Sequence, residues 1–173
     1  MRLMFIPASL VATLALAASP VPSLLDLSPM QPKGRVQDHS SDPVVESILA
    51  AGKDAIPTLI NLIQSERMFD HPPLAYWPEV REGDMALVTL CDLFLDQTWK
   101  KSTLPELCWD NLLGRTDSDT SAWDLLYRYI GEYGRSSLAD KWKAVWLEHR
   151  SRIAWDKEGR YFKVGGMELQ ACQ

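Results

Sequence analysis

The chain has 173 residues, of which 46% are hydrophobic and 24% charged; that is enough for one domain with a real core, and it excludes an intrinsically disordered chain. The formal net charge of −5 argues against nucleic acid and against an anionic membrane surface as partners. A basic protein partner remains compatible with it.

The amino terminus reads MRLMFIPASLVATLALAASP. Arg2 supplies a positive start, Leu3 to Leu16 form a short apolar run, and Ala15-Leu16-Ala17 is a small-x-small cleavage signal. These features predict a signal peptide over residues 1–17. The run is shorter than the roughly 20 apolar residues a membrane span needs. Pro7 interrupts it and no cysteine follows it directly, so the expected product is exported, periplasmic or extracellular, without membrane insertion. Residues 18–41 are rich in Pro, Ser and isolated charges, which predicts a flexible leader with at most a local turn at Leu24-Leu25.

The domain is expected over residues 42–164. Asp42 and Pro43 make a helix start, Val44, Val45, Ile48 and Leu49 an apolar face, and Gly52 a stop. A second helix begins at Asp54, with Ile56, Leu59, Ile60 and Ile63 at i, i+3, i+4, i+7. The stretch MFDHPPLAYWPE cannot be regular helix, because Pro72, Pro73 and Pro78 interrupt it. Its rings either cover an open end of the core or form a partner-binding loop, with Phe69, His71, Tyr76 and Trp77 as the candidate contacts. Gly83 to Asp96 predicts a third helix, apolar on most sides and therefore central.

Thr103 and Glu106 have capping-box spacing and start a short fourth helix that ends at Gly114. Asp117 and Asp119 alternate like calcium ligands, but no glycine and downstream glutamate complete the loop, so a solvated turn is expected and no metal. A fifth helix runs from Ser121 to Gly134, and a sixth from Ser137 with Leu138, Trp142, Val145, Trp146 and Ile153 on one stripe. Ile153 to Trp155 and Arg160 to Val164 are β-prone, and the DKEG between them is a turn in which Gly159 is free to take φ > 0. Residues 165–173 read as a frayed tail. The expected fold is all-α: a compact stack of about six helices with a short C-terminal β-hairpin.

Pro57-Thr58-Leu59 recurs in kind as Pro105-Glu106-Leu107, 48 positions on, each in the first turn of a helix. Together with Gly52-Lys53-Asp54-Ala55-Ile56-Pro57-Thr58-Leu59-Ile60, Gly83-Asp84-Met85-Ala86-Leu87 and the closing Trp142…Trp146…Trp155-Asp156…Tyr161, the chain resembles bacterial exported HEAT-like proteins, the armadillo-type helical repeats. The resemblance implies a non-catalytic scaffold that binds proteins, with no active site to carry over. The long aromatic loop and the scarcity of clean repeats favour a compact domain over an extended solenoid.

Cys91, Cys108 and Cys172 are the three cysteines. In an oxidising compartment Cys91 and Cys108 are candidates for a disulfide; the alternative is two reduced core cysteines, with Cys172 free in the tail. Chemistry is sparse. His39, His71 and His149 show no metal-ligand spacing, and Asp92 and Asp96 lie at i, i+4, as on a solvated helix face. No cofactor is expected. Asp70-His71 beside a nucleophile such as Cys91 would be a hydrolase, the least favoured class, since Cys91 sits in an apolar helix. The expectation is a non-enzymatic exported protein that binds a partner protein of unknown identity. The sharper alternative is a periplasmic immunity protein that plugs a toxic cell-wall hydrolase. A homodimer is compatible with the pattern.

Overall fold

In the computed structural model the described residues are 21–30, 34–71, 73, 79–98, 100–107 and 122–172. They form five α-helices: α1 (Pro43–Ala51), α2 (Ile56–Leu62), α3 (Glu82–Phe94), α4 (Ala122–Tyr133) and α5 (Arg135–His149). Four short strands accompany them: β1 (Lys101–Ser102), β2 (Ile153–Asp156), β3 (Tyr161–Val164) and β4 (Gln170–Ala171). These strands build two antiparallel two-stranded sheets, β1–β4 and β2–β3.

The all-α stack of about six helices is therefore corrected to a mixed architecture. The stretch expected to open helix four enters as β1 and a 3-10 turn at Pro105–Leu107. Ser102 is held by β4 on one side and bridges to Leu95 on the other, so its backbone groups go to a ladder rather than to a helix. The expected signal segment 1–17 and residues 108–121, with Asp117 and Asp119, lie outside the described residues.

The core is built around α3. Met85, Ala86, Leu87, Leu90, Leu93 and Phe94 are all buried, which fits a helix with little polar face. From α2, Ile56, Leu59 and Ile60 are buried with Ile63, as their helical spacing requires. Asp42 starts α1: its Oδ1 accepts the N–H groups of Val44 and Val45 at 2.8 and 3.2 Å. Gly52 ends α1 at φ 59°, where a side chain would be strained. A row of rings ties the later elements to α3. Trp142 of α5 packs on Phe94 (centroids 5.7 Å apart), Phe94 on Phe162 of β3 (5.6 Å), and Phe162 edge-on against Trp155 of β2 (4.9 Å).

The hairpin forms over the residues the sequence marks, pairing Ile153 with Val164 through to Asp156 with Tyr161. Its turn differs from expectation in one respect. Arg160, not Gly159, takes the positive φ, at 54°. Gly159 is needed for space instead: a Cβ there would lie 2.1 Å from the Tyr161 ring.

The leader is not free. Leu24 is fully buried, and Leu27, Met30, Arg35, Val36 and Gln37 are buried too. Ser28 N–H donates to Asp42 Oδ2 at 2.8 Å, so one carboxylate caps α1 and holds the leader. Burial works to raise the Asp42 pKa, but the N–H groups of Ser28, Val45 and Val44 outweigh it and hold the carboxyl below its ordinary range. Nor is the tail wholly frayed, since Gln170 and Ala171 pair with β1 and Cys172 N–H donates to Lys100 O at 2.7 Å.

Gly131 of α4 lies inside a helix, and a Cβ there meets nothing within 4 Å. Gly131→Ala should raise the unfolding free energy by about 0.5–1 kcal/mol through helix propensity alone. Urea unfolding checks this, and a lower midpoint would show that the site needs glycine for another reason.

Candidate functional site

The chain leaving α2 and the chain entering α3 run back beside each other. Met68 bridges to Arg81, Phe69 N–H donates to Val80 O at 3.4 Å, and Glu82 N–H donates to Arg67 O at 2.8 Å. Neighbouring side chains on such a limb point to opposite sides. Phe69 is accordingly buried in the core, while Met68 is about half exposed.

Behind this limb stands Arg135, the first residue of α5. Its guanidinium donates to Asp84 Oδ1 at 2.5 Å and to Ile63 O at 3.3 Å, and its Nε lies 3.1 Å from Glu66 Oε1. Asp84 is fully buried and also caps α3, its Oδ2 accepting the Arg81 N–H at 2.8 Å. A buried carboxylate with a bound guanidinium and a backbone donor is satisfied, and breaking the pair would leave a charge stranded. Glu82 nearby is similarly enclosed, accepting from Ser65 Oγ at 2.7 Å and Ser23 Oγ at 3.2 Å. The N-terminus of α3 is thus locked to α2, to the leader and to α5.

On the outer side of this lock is a cleft of about 820 Å³. Glu66, Met68, Glu79 and Arg81 form one wall, and Tyr127, Ile130 and the α4–α5 junction from Gly131 to Ser137 form the other. Arg81 pairs with Glu66 along the first wall, and the Tyr127 hydroxyl reaches across to donate to Glu79 O at 3.5 Å. The lining therefore mixes both charges with an exposed thioether and a phenol. No metal-competent group of three or more His, Cys, Asp or Glu occurs among the described residues.

Of the four expected partner contacts, Phe69 belongs to the core and His71 is exposed beside the cleft limb, whereas Tyr76 and Trp77 lie outside the described residues. Cys91 is free and buried in α3, which rules it out of the expected Cys91–Cys108 bridge; Cys108 lies outside the described residues. Burial, reinforced by Asp92, pushes the Cys91 thiol well up, so it holds no thiolate at neutral pH to attack a substrate. Cys172, expected to be free, is disulfide-bonded. Asp92 is half-buried rather than on an open solvated face, and burial raises its pKa to about 7, against the lowering effects of the Val36 N–H and Arg35.

Sequence reasoning missed Arg135, Arg81 and Tyr127. Each reads alone as an ordinary surface residue, and only the fold brings them together. Gly83 was the available clue, because a small residue at a helix start marks a close approach. No protein-family model, curated protein or solved structure matches this chain.

Proposed function

We propose that this chain is an exported domain that binds a partner protein through the cleft between the 64–81 limb and the α4–α5 junction. The observation that carries the reading is the cleft itself. Its back wall is rigid, because Arg135 and Asp84 are fixed by buried bonds. Its lip offers Arg81, Tyr127 and a half-exposed Met68. Arg and Tyr are the residue types that dominate protein-interface energetics, and Met adapts to irregular partners. A preformed wall with long, partly exposed side chains at its lip suits a protein surface. Export is supported by the apolar run within residues 1–17 and by the disulfide at Cys172, since such bonds persist in oxidising compartments.

The test is an affinity capture from the envelope fraction of the producing cell, with wild type and an Arg81→Glu/Tyr127→Ala variant as parallel baits. Arg81 and Glu66 are both well exposed, so the variant should keep its thermal midpoint. A protein retained stoichiometrically by wild type and lost by the variant is the expected result. Equal retention by both, or none by either, overturns the reading. Thiol titration of the denatured, unreduced protein purified from the envelope should find one thiol, Cys91. Three thiols would remove the argument for an oxidising compartment.

A further inference from the structure

Residues 34–40 lie across the C-terminal end of α3 and the turn of the β2–β3 hairpin. Two consecutive residues of that segment meet one residue of α3: Val36 N–H donates to Asp92 Oδ2 at 2.8 Å, and Gln37 Nε2 donates to Asp92 O at 2.7 Å. Gln37 Nε2 also donates to Arg160 O at 3.2 Å. Both partners of the Gln37 amide nitrogen are carbonyl oxygens, so the amide cannot be turned over. Its Oε1 is left buried with no donor among the described residues, and the whole residue is solvent-inaccessible. A buried acceptor without a donor costs about 1–3 kcal/mol, so one is expected to be supplied.

Asp92 is the titratable group that already touches this glutamine and its neighbour. Its Oδ2 is used by Val36, and no hydrogen bond is made to its Oδ1 among the described residues. We infer that Asp92 is held protonated and donates from its carboxyl to Gln37 Oε1, which makes residues 34–40 a pH-dependent latch on the domain. The charged groups around it permit this. From the latch come Arg35 and Asp38, which are paired with each other at 3.3 Å. From the hairpin comes Arg160, whose guanidinium goes to Asp38 and to Gln37 O. On its own helix stands Cys91, uncharged, while Asp96 just beyond the helix turns its carboxylate to Thr98 and to the N–H groups of Lys100 and Lys101. Burial outweighs the Val36 N–H and the Arg35 charge, which is spent on Asp38 and on the Leu95 and Gly159 carbonyls, and raises the Asp92 pKa to about 7.

The sign follows. Asp38, whose pKa is lowered despite burial by its bonds to Arg35, weakens the latch only as pH falls through the acid range, and Asp92, whose folded-state pKa lies above the unfolded value, weakens it as pH rises from about 4 to about 7. Above that it levels off, because both states then carry the charge.

Hydrogen exchange on the full chain tests this. After correction for intrinsic rates, protection of residues 34–40 should fall by up to about tenfold per pH unit between pH 4 and 7, then flatten. Asp92→Asn supplies a permanent donor, its Nδ2, while its Oδ1 still accepts the Val36 N–H. That variant should show flat protection in the same segment and exceed wild type at pH 8. Flat or rising protection in wild type overturns the inference, and so does an unchanged slope in Asp92→Asn. Should the variant not fold, the carboxyl carbon shift of Asp92 in labelled wild type decides: a midpoint near 7 supports the latch, and one at or below 5 overturns it.

Discussion

Arg35→Ala should lower the unfolding free energy by about 3–5 kcal/mol, a large share of the roughly 5–15 kcal/mol available to a domain. The side chain is 4% exposed, and its Nη1 donates to Leu95 O and to Gly159 O, each at 3.2 Å. Its Nε and Nη2 hold Asp38 at 3.4 and 3.3 Å. One guanidinium thereby joins the leader, the end of α3 and the hairpin turn. Removal strands the two carbonyls, and each lost bond to a charged donor is worth about 1.5–3 kcal/mol. Asp38 is partly exposed and water can replace its share, so the loss falls short of the plain sum. Arg35→Lys should recover less than half, because one ammonium cannot span three elements. Urea unfolding of both variants measures this. A loss under 1 kcal/mol for Arg35→Ala would mean that the leader contributes little to stability.

Gly83→Ala should cost about 3 kcal/mol or more, although it adds a single methyl. A Cβ at Gly83 would lie 2.4 Å from Ile63 O and 2.7 Å from Ser65 O. Both are backbone atoms, and neither can turn aside as a side chain would. The first turn of α3 would have to move off the end of α2, weakening the Gly83 N–H to Ser65 O bond of 3.2 Å and disturbing Arg135 on Asp84. The proposed partner binding through the cleft should fall with it, because the same shift displaces the back wall. The contrast with Gly131→Ala is the sharper check, as two identical substitutions in one protein should move the thermal midpoint in opposite directions. A Gly83→Ala protein as stable as wild type would contradict the geometry.

Much of the helical framework is legible in the residue pattern, because it rests on local rules. Asp42-Pro43 before an apolar face, and Ile56, Leu59, Ile60 and Ile63 at helical spacing, each need only their neighbours to be read. The hairpin is legible for the same reason. The failures share a different cause. Leu24, Leu27 and Met30 stand among prolines and serines, so no window shows a period, and only the apolar groove beside α3 reveals what they do. β1 and β4 have two residues each and find one another across about 70 positions, a pairing without local signature. Arg160 takes the left-handed position because its guanidinium is tied to Asp38 and Gln37 O, a long-range bond that overrides the local preference for glycine. The cleft is the same case, being built from residues of no special type that α2, α3, α4 and α5 bring together. Cys91 reads as a bridge partner from its helix's place in the chain order, but in the folded chain it is a free thiol.

The bonds of Arg35 also reach far along the chain. Its acceptor at Gly159 lies 124 residues downstream, and the one at Leu95 60 residues downstream. Contacts of such separation carry the loop-closure entropy that slows folding. A ribosome making about 5–20 residues per second needs about 6–25 seconds to go from Arg35 to the hairpin turn. During that time Arg35 has Asp38, three residues on, but not its Gly159 acceptor, so the join to the hairpin cannot close. The join between leader, α3 and hairpin is therefore completed only after the β2–β3 turn has been made.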